Sequence, residues 1–202
     1  MPVKSLHPKL VADLRAHHGI IGRLLGRMKN IDHRQDRTPW IPKEDSYEYG
    51  RRVRQMNVSR NYPETELVIK RVHPTTWSPY ITAKQTIDRL RALVKGDNQQ
   101  QAKPKGYELR MPEAYAIGED LIAMAKTDHP SVEEMIGIGH LDKTDRGGKL
   151  LRELKRKHRI DEYDLVKAND EVRARTGIQP ANLLVLGYEN GKFVFMPLVD
   201  LE

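Results

Sequence analysis

Two apolar runs, 183–188 and 192–196, meet across the dipeptide Asn190-Gly191, and nothing else in this 202-residue chain restricts the fold so tightly. Asn-Gly supplies the two positive φ angles of a type I′ turn, whose twist matches that of the strands it joins. The C-terminus therefore reads as a β-hairpin over 183–196, with Glu189 and Lys192 flanking the turn as a cross-strand ion pair. A second β-branched, apolar run over 66–72, closed by His73-Pro74, reads as a short strand. Nearly all other periodicity is helical, so the expected class is α+β, mostly helical, with a strand near 66–72 and the C-terminal hairpin.

The first helix is expected to start at Pro8, where the missing N–H of proline costs nothing. Leu10, Val11, Leu14, Ile21, Leu24, Leu25 and Met28 recur at helical spacing, which gathers them on one stripe. Arg15, Arg23 and Arg27 fall on the far side together with Gly19, Gly22 and Gly26. Glycine in a helix interior costs about 1 kcal/mol relative to alanine, so three in line point to a close approach there, by a phosphate strand or by another helix. Further helices are expected over 47–57, 82–95, 112–126, 131–136, 149–158 and 162–175, the last stopped by Gly177 and Pro180. Residues 30–46, with Pro39 and Pro42, read as an extended polar connection.

The polar, Gln-rich stretch 96–106 reads as a linker. It divides the chain into a basic N-terminal region, 1–95 (helix, extended loop, strand, helix), and a helical unit, 107–202, that ends in the hairpin.

Charge supplies the functional reading. Residues 1–110 hold 22 Lys+Arg against 11 Asp+Glu, a balance of +11, whereas residues 111–202 hold 13 against 17, a balance of −4. A basic first half joined to a mildly acidic second half suggests one face for a polyanion and another for protein. Within the acidic half, Lys149, Arg152, Arg156 and Arg159 recur at i, i+3, i+7 and i+10, thickened by Lys155 and Lys157, opposite Leu150, Leu151 and Leu154. Such a ridge can neutralise several phosphates without reading sequence; a solvated face or a contact to an acidic protein would have the same pattern. Gly147-Gly148-Lys149 would open this helix and leave its amides as an anion site.

No constellation for catalysis emerges. The chain has no Cys, which removes disulfides, thiolate zinc sites and cysteine nucleophiles. His17 and His18 are adjacent and so diverge by about 100° on a helix, unlike a chelating i, i+4 pair. Glu119-Asp120 and Glu133-Glu134 read as solvated acids, and neither a Gly-x-Ser-x-Gly elbow nor a G-x-G-x-x-G loop occurs. No enzyme activity, cofactor, metal or small-molecule substrate is expected. Two Phe, both in the hairpin, are too few for an RNA-recognition sheet, and Trp40 and Trp77 sit in Pro-containing loops, where they pack or stack on unpaired bases. No run is long enough to span a membrane, and no secretory segment is expected at the N-terminus. The first 31 residues hold one acid, Asp13, a pattern shared by organelle import signals and by basic first helices of RNA-binding subunits.

Over residues 7–74 the chain resembles the thirty-fourth mitochondria-specific protein family of the small ribosomal subunit. The resemblance lies in the basic opening helix Pro8-Lys9-Leu10-Val11-Ala12-Asp13-Leu14 and in the glycine-plus-basic segment Gly50-Arg51-Arg52-Val53. It continues in Lys70-Arg71-Val72-His73-Pro74, which follows Tyr62-Pro63-Glu64-Thr65. The family's Gly-Lys-Ala-Trp-Gly stretch has no counterpart, and residues 111–202 lie outside the resemblance. It implies a non-catalytic mitochondrial subunit bound to the ribosomal RNA phosphate backbone and to neighbouring ribosomal proteins. Together, composition, pattern and resemblance give a structural subunit of a ribosome-like ribonucleoprotein, mitochondrial or otherwise cytoplasmic. The expected RNA contacts are Arg15, Arg23, Arg27, Arg51, Arg52, Arg54, Lys149, Arg152, Arg156 and Arg159. The alternative is an accessory or assembly subunit of an organellar membrane complex (respiratory or ATP synthase) that binds no RNA.

Overall fold

Helix caps settle where much of this chain turns. Residues 6–19, 21–22, 67–72, 81–99, 106–125, 127–137 and 145–198 are described by a computed structural model, and they form an α+β structure. It divides into two units, one from 2–87 and 113–127, the other from 88–112 and 128–202. The division falls inside a helix, not over 96–106, so the two regions expected on either side of a linker are not the units that form.

In the first unit, α1 (Pro8–Ala16) has His7 as its N-cap and proline in its first turn. Leu10, Val11 and Leu14 are buried, and full burial of one such side chain is worth about 1.5–3 kcal/mol. His17 closes α1, and Ile21 resumes the buried stripe one turn later, its N–H donating to the His17 carbonyl at 3.1 Å. The apolar stripe packs on one face of an antiparallel sheet ordered β1–β4–β3, built from β1 (Leu67–Arg71), β3 (Ala114–Ala116) and β4 (Leu121–Ala125). Ile69, Ile117, Leu121 and Ala123 supply that face, with Tyr115 and Ala125 at its margin. The expected strand at 66–72 is therefore present, and the expected helix over 112–126 is a hairpin instead. Ile122 and Ala123, on opposite faces of β4, are both fully buried. A central strand covered on both sides carries a continuous apolar run, which does not distinguish it from a buried helix. The turn carbonyls of Glu119 and Asp120 accept from Ala83 N–H at 2.6 Å and from Val72 N–H at 2.7 Å. Both acids of that turn stay exposed, as expected.

Between β1 and β3 in the chain comes α2 (Ala83–Gln99), which opens with Thr82 and Gln85 bonding reciprocally to each other's backbone N–H. Ile87, Leu90 and Val94 are buried, and Lys84, Arg91 and Lys95 are exposed, in agreement with the periodicity. The helix runs on through Gly96 to Gln99, into the stretch expected to be linker. Asp97 holds it there. Its Oδ1 accepts from the buried Tyr107 hydroxyl at 3.0 Å and from Arg175 Nε at 3.0 Å. Next to it, the Asn98 amide donates to the Leu109 carbonyl at 2.7 Å and accepts from the Leu109 N–H at 3.3 Å, pairing with β2 as a neighbouring strand would.

That strand, β2 (Tyr107–Leu109), belongs to the second unit. It pairs in parallel with β6 (Lys192–Pro197), which pairs antiparallel with β5 (Leu183–Glu189). The hairpin is as expected, with Asn190 at φ 51° and Gly191 at φ 78°. Glu189 faces Lys192 in register, but its carboxylate is bound by Arg110, whose NH2 lies 2.6 Å away, and that guanidinium holds the carboxyl below its usual range. A planar donor that reaches both oxygens displaces the expected lysine partner.

Three helices complete this unit. They are α3 (Val132–Ile136), α4 (Asp145–His158) and α5 (Glu162–Thr176). Ser131 with Glu134 and Asp161 with Asp164 form capping boxes, and Gly137 and Gly177 end α3 and α5 in the left-handed region.

Candidate nucleic-acid interface

The ridge on α4 depends first on how that helix is seated. Gly147 faces α3 so closely that a Cβ there would collide with the Glu134 carbonyl oxygen and come within 2.8 Å of its carbonyl carbon. Glu134 also accepts from Arg146 NH2 at 2.8 and 2.9 Å, while its Oε2 takes the Ser131 N–H at 2.7 Å. One carboxylate thus caps α3 and ties down the start of α4. Leu154 is buried on the same side of the helix as Gly147, and Leu150 and Leu151 are half-buried beside it.

Opposite that seat, Lys149, Arg152 and Arg156 are exposed, and at 100° per residue they fall within an arc of about 60°. Among the described residues, none of these three has an ion-pair partner, nor does Lys155. Lys157 does: its ammonium sits 2.6 Å from Glu153, and this hydrogen bond holds the Glu153 carboxyl below its usual range. The structure therefore brings together three of the four cations read as a continuous helical row.

Arg159 departs from that row. The helix ends at His158, whose ring lies 5.2 Å from that of Tyr188 in β5. Arg159 follows in the left-handed region at φ 59°, its N–H donating to the Lys155 carbonyl at 3.0 Å. The anion site expected at Gly147-Gly148-Lys149 is also displaced, because α4 begins at Asp145 and Gly147 is buried against α3.

On α1, Arg15 is exposed, and its Nε donates to the Ala116 carbonyl of the edge strand β3 at 3.0 Å. The residue expected to face a polyanion thus anchors its helix to the sheet. Arg15→Ala should accordingly lower stability by about 1 kcal/mol in urea titrations, more than an ordinary surface change. A Cβ on Gly19 would meet nothing within 4 Å, so no described part of this chain approaches closely at that glycine, and Gly26 lies outside the described residues. Arg23, Arg27, Arg51, Arg52 and Arg54, like Trp40 and Trp77, lie outside the described residues.

The side chains of the C-terminal sheet are engaged inside the fold. Phe193 and Phe195 are buried with stacked rings 5.6 Å apart, so they present no face to a base. Burial, then the hydrogen bond to Asp97, pushes the Tyr107 phenol far above its ordinary 10.0 and keeps it a donor. Tyr163, the large hydrophobic side chain left exposed among the described residues, stands between acids at 161, 162 and 164 that would repel phosphate. His17 and His18 each donate through Nδ1 to a backbone carbonyl, of Asp13 and Arg15, at 2.8 Å. Among the described residues no cluster of three His, Asp or Glu could hold a metal ion, and no helix is long and apolar enough to cross a membrane.

No family model matches the chain, and no curated protein or solved structure compared with it does either.

Proposed function

We propose that this chain is a non-catalytic structural subunit of a ribosome-like, mitochondrial ribonucleoprotein, laying the exposed row of α4 on RNA phosphates. The observation that carries the proposal is the pairing of two sides of one helix. One side is locked to α3 through Gly147 and the Arg146–Glu134 pair, with Leu154 buried on the same side; the other holds Lys149, Arg152 and Arg156 together without an ion pair among the described residues. Glu153, beside this row, is hydrogen-bonded by Lys157 on the flank, and the charges of Arg156 and Lys149 act on it more weakly. Lys155, Arg156 and Lys157 complement the helix C-terminus, but Lys149 and Arg152 lie too far from it for that role. The +11 balance of residues 1–110 and the resemblance over 7–74 support an RNA partner for the remainder of the chain.

Replacing Lys149, Arg152 and Arg156 together with Glu tests this. RNA affinity should fall by about 100-fold or more at low salt, and the slope of log K against log salt should flatten by about 2–3. Folding should change by less than about 0.5 kcal/mol per site, since all three side chains are exposed. Unchanged affinity in a folded triple variant would refute the proposal. Co-sedimentation with a membrane complex that survives ribonuclease would put the accessory-subunit alternative in its place.

A further inference from the structure

Three helices of the second unit end in the left-handed backbone region, and the residues placed there differ. Gly137 closes α3 at φ 68° and Gly177 closes α5 at φ 76°, whereas α4 is closed by Arg159 at φ 59°. Among the described residues, Arg159 and Asn190 are the non-glycine positions with positive φ, and asparagine tolerates that region better than arginine does. Glycine would relieve the strain at 159 as it does at 137 and 177. The Arg159 side chain offers the fold nothing in return. It is exposed, with no hydrogen bond or ion pair to another described residue. Nor does the α4 C-terminus need it as a counter-charge, because Lys155, Arg156 and Lys157 already fill the last turn.

We propose that the Arg159 guanidinium binds RNA phosphate, a role set against its strained backbone, and adds a fourth cation to Lys149, Arg152 and Arg156 past the end of the helix. This rests on the reading of α4 as an RNA-facing ridge and deepens it to a run of about four phosphates along one strand, contacted without regard to sequence. Over residues 149–156 the helix advances about 10 Å, and Arg159 follows three residues further along the chain, just past the helix end at His158. Arginine suits such an end position, since its planar fork can hold two phosphate oxygens from one side.

The test uses the full chain and a labelled oligouridylate. Arg159→Gly should raise the thermal midpoint by about 2–4 °C, weaken binding by about 3- to 10-fold and flatten the salt slope by about 1. Arg159→Ala should lose the same affinity without gaining stability, and Arg159→Lys should keep the stability and salt slope of the parent while losing a smaller part of the affinity, because the charge remains and the planar fork does not. A stabilised Arg159→Gly variant with unaltered affinity and slope would overturn this inference, while the triple Glu variant could still uphold the ridge. Loss of stability in Arg159→Gly would overturn it as well. Failure of the parent chain to bind oligouridylate at low salt would overturn the ridge and the role of Arg159 together.

Discussion

Gly147→Ala should destabilise the protein by about 3 kcal/mol or more, among the largest effects of any single methyl group here. The added Cβ would collide with the backbone of Glu134 and lie 3.0 Å from the Met135 Cα, so no side-chain rotation can relieve it. Either α4 lifts off α3 or both helices distort. Lifting would break the Arg146–Glu134 pair and move the whole cationic row, so RNA affinity should drop along with the urea midpoint. Gly148→Ala is the matched control. Its new Cβ would meet only the flexible end of Arg152, at 3.5 Å, and alanine in a helix gains up to about 1 kcal/mol over glycine. If Gly147→Ala unfolds at the parent midpoint, α4 is not seated as described.

Asp97→Ala should cost about 2–4 kcal/mol, somewhat below the usual figure for a broken buried pair because Arg175 keeps 23% of its side chain in solvent. The substitution leaves the Tyr107 hydroxyl buried without this acceptor and separates the end of α2 from α5. Glu171, 3.9 Å from Arg175, retains part of the guanidinium's charge balance. Tyr107→Phe should cost less, about 1–2 kcal/mol, since it removes one hydrogen bond and leaves the ion pair in place. Denaturant titration of both single variants and the double variant gives the coupling between them. Additive effects would mean that the two interactions do not share Asp97 as their hub.

The parts of the fold legible beforehand are those whose signals lie within a few residues of one another. The hairpin follows from Asn190-Gly191 and the end of α5 from Gly177, while α3 and α5, expected from their periodicity, prove also to be set by local caps, Ser131 with Glu134 and Asp161 with Asp164. In each, a side chain or a permissive backbone satisfies groups three or four residues away, so no distant partner is needed. The cations of α4 were legible for the same reason, down to the arc shared by Lys149, Arg152 and Arg156. The end of that helix at residue 158 was legible too, but the left-handed backbone of Arg159 just beyond it was not, because only backbone geometry reveals it.

What only the tertiary structure decided involves partners far along the chain. Residues 114–116 and 121–125 are good helix formers by composition, yet β4 is a strand because β1, some fifty residues earlier, pairs with it. The Gly118-Glu119-Asp120 turn between the two runs was the signal available for it. Gly96 to Gln99 reads as linker by composition, but Asp97 is claimed by Tyr107 and Arg175, and Asn98 by Leu109, so the helix continues. Glu189 turns from its neighbour Lys192 to Arg110, 79 residues away, whose guanidinium reaches both carboxylate oxygens. Local caps and turns were written in the order of residues. Which strands pair and which charges meet depended on chain closure, where a distant side chain with better geometry outcompetes a near one.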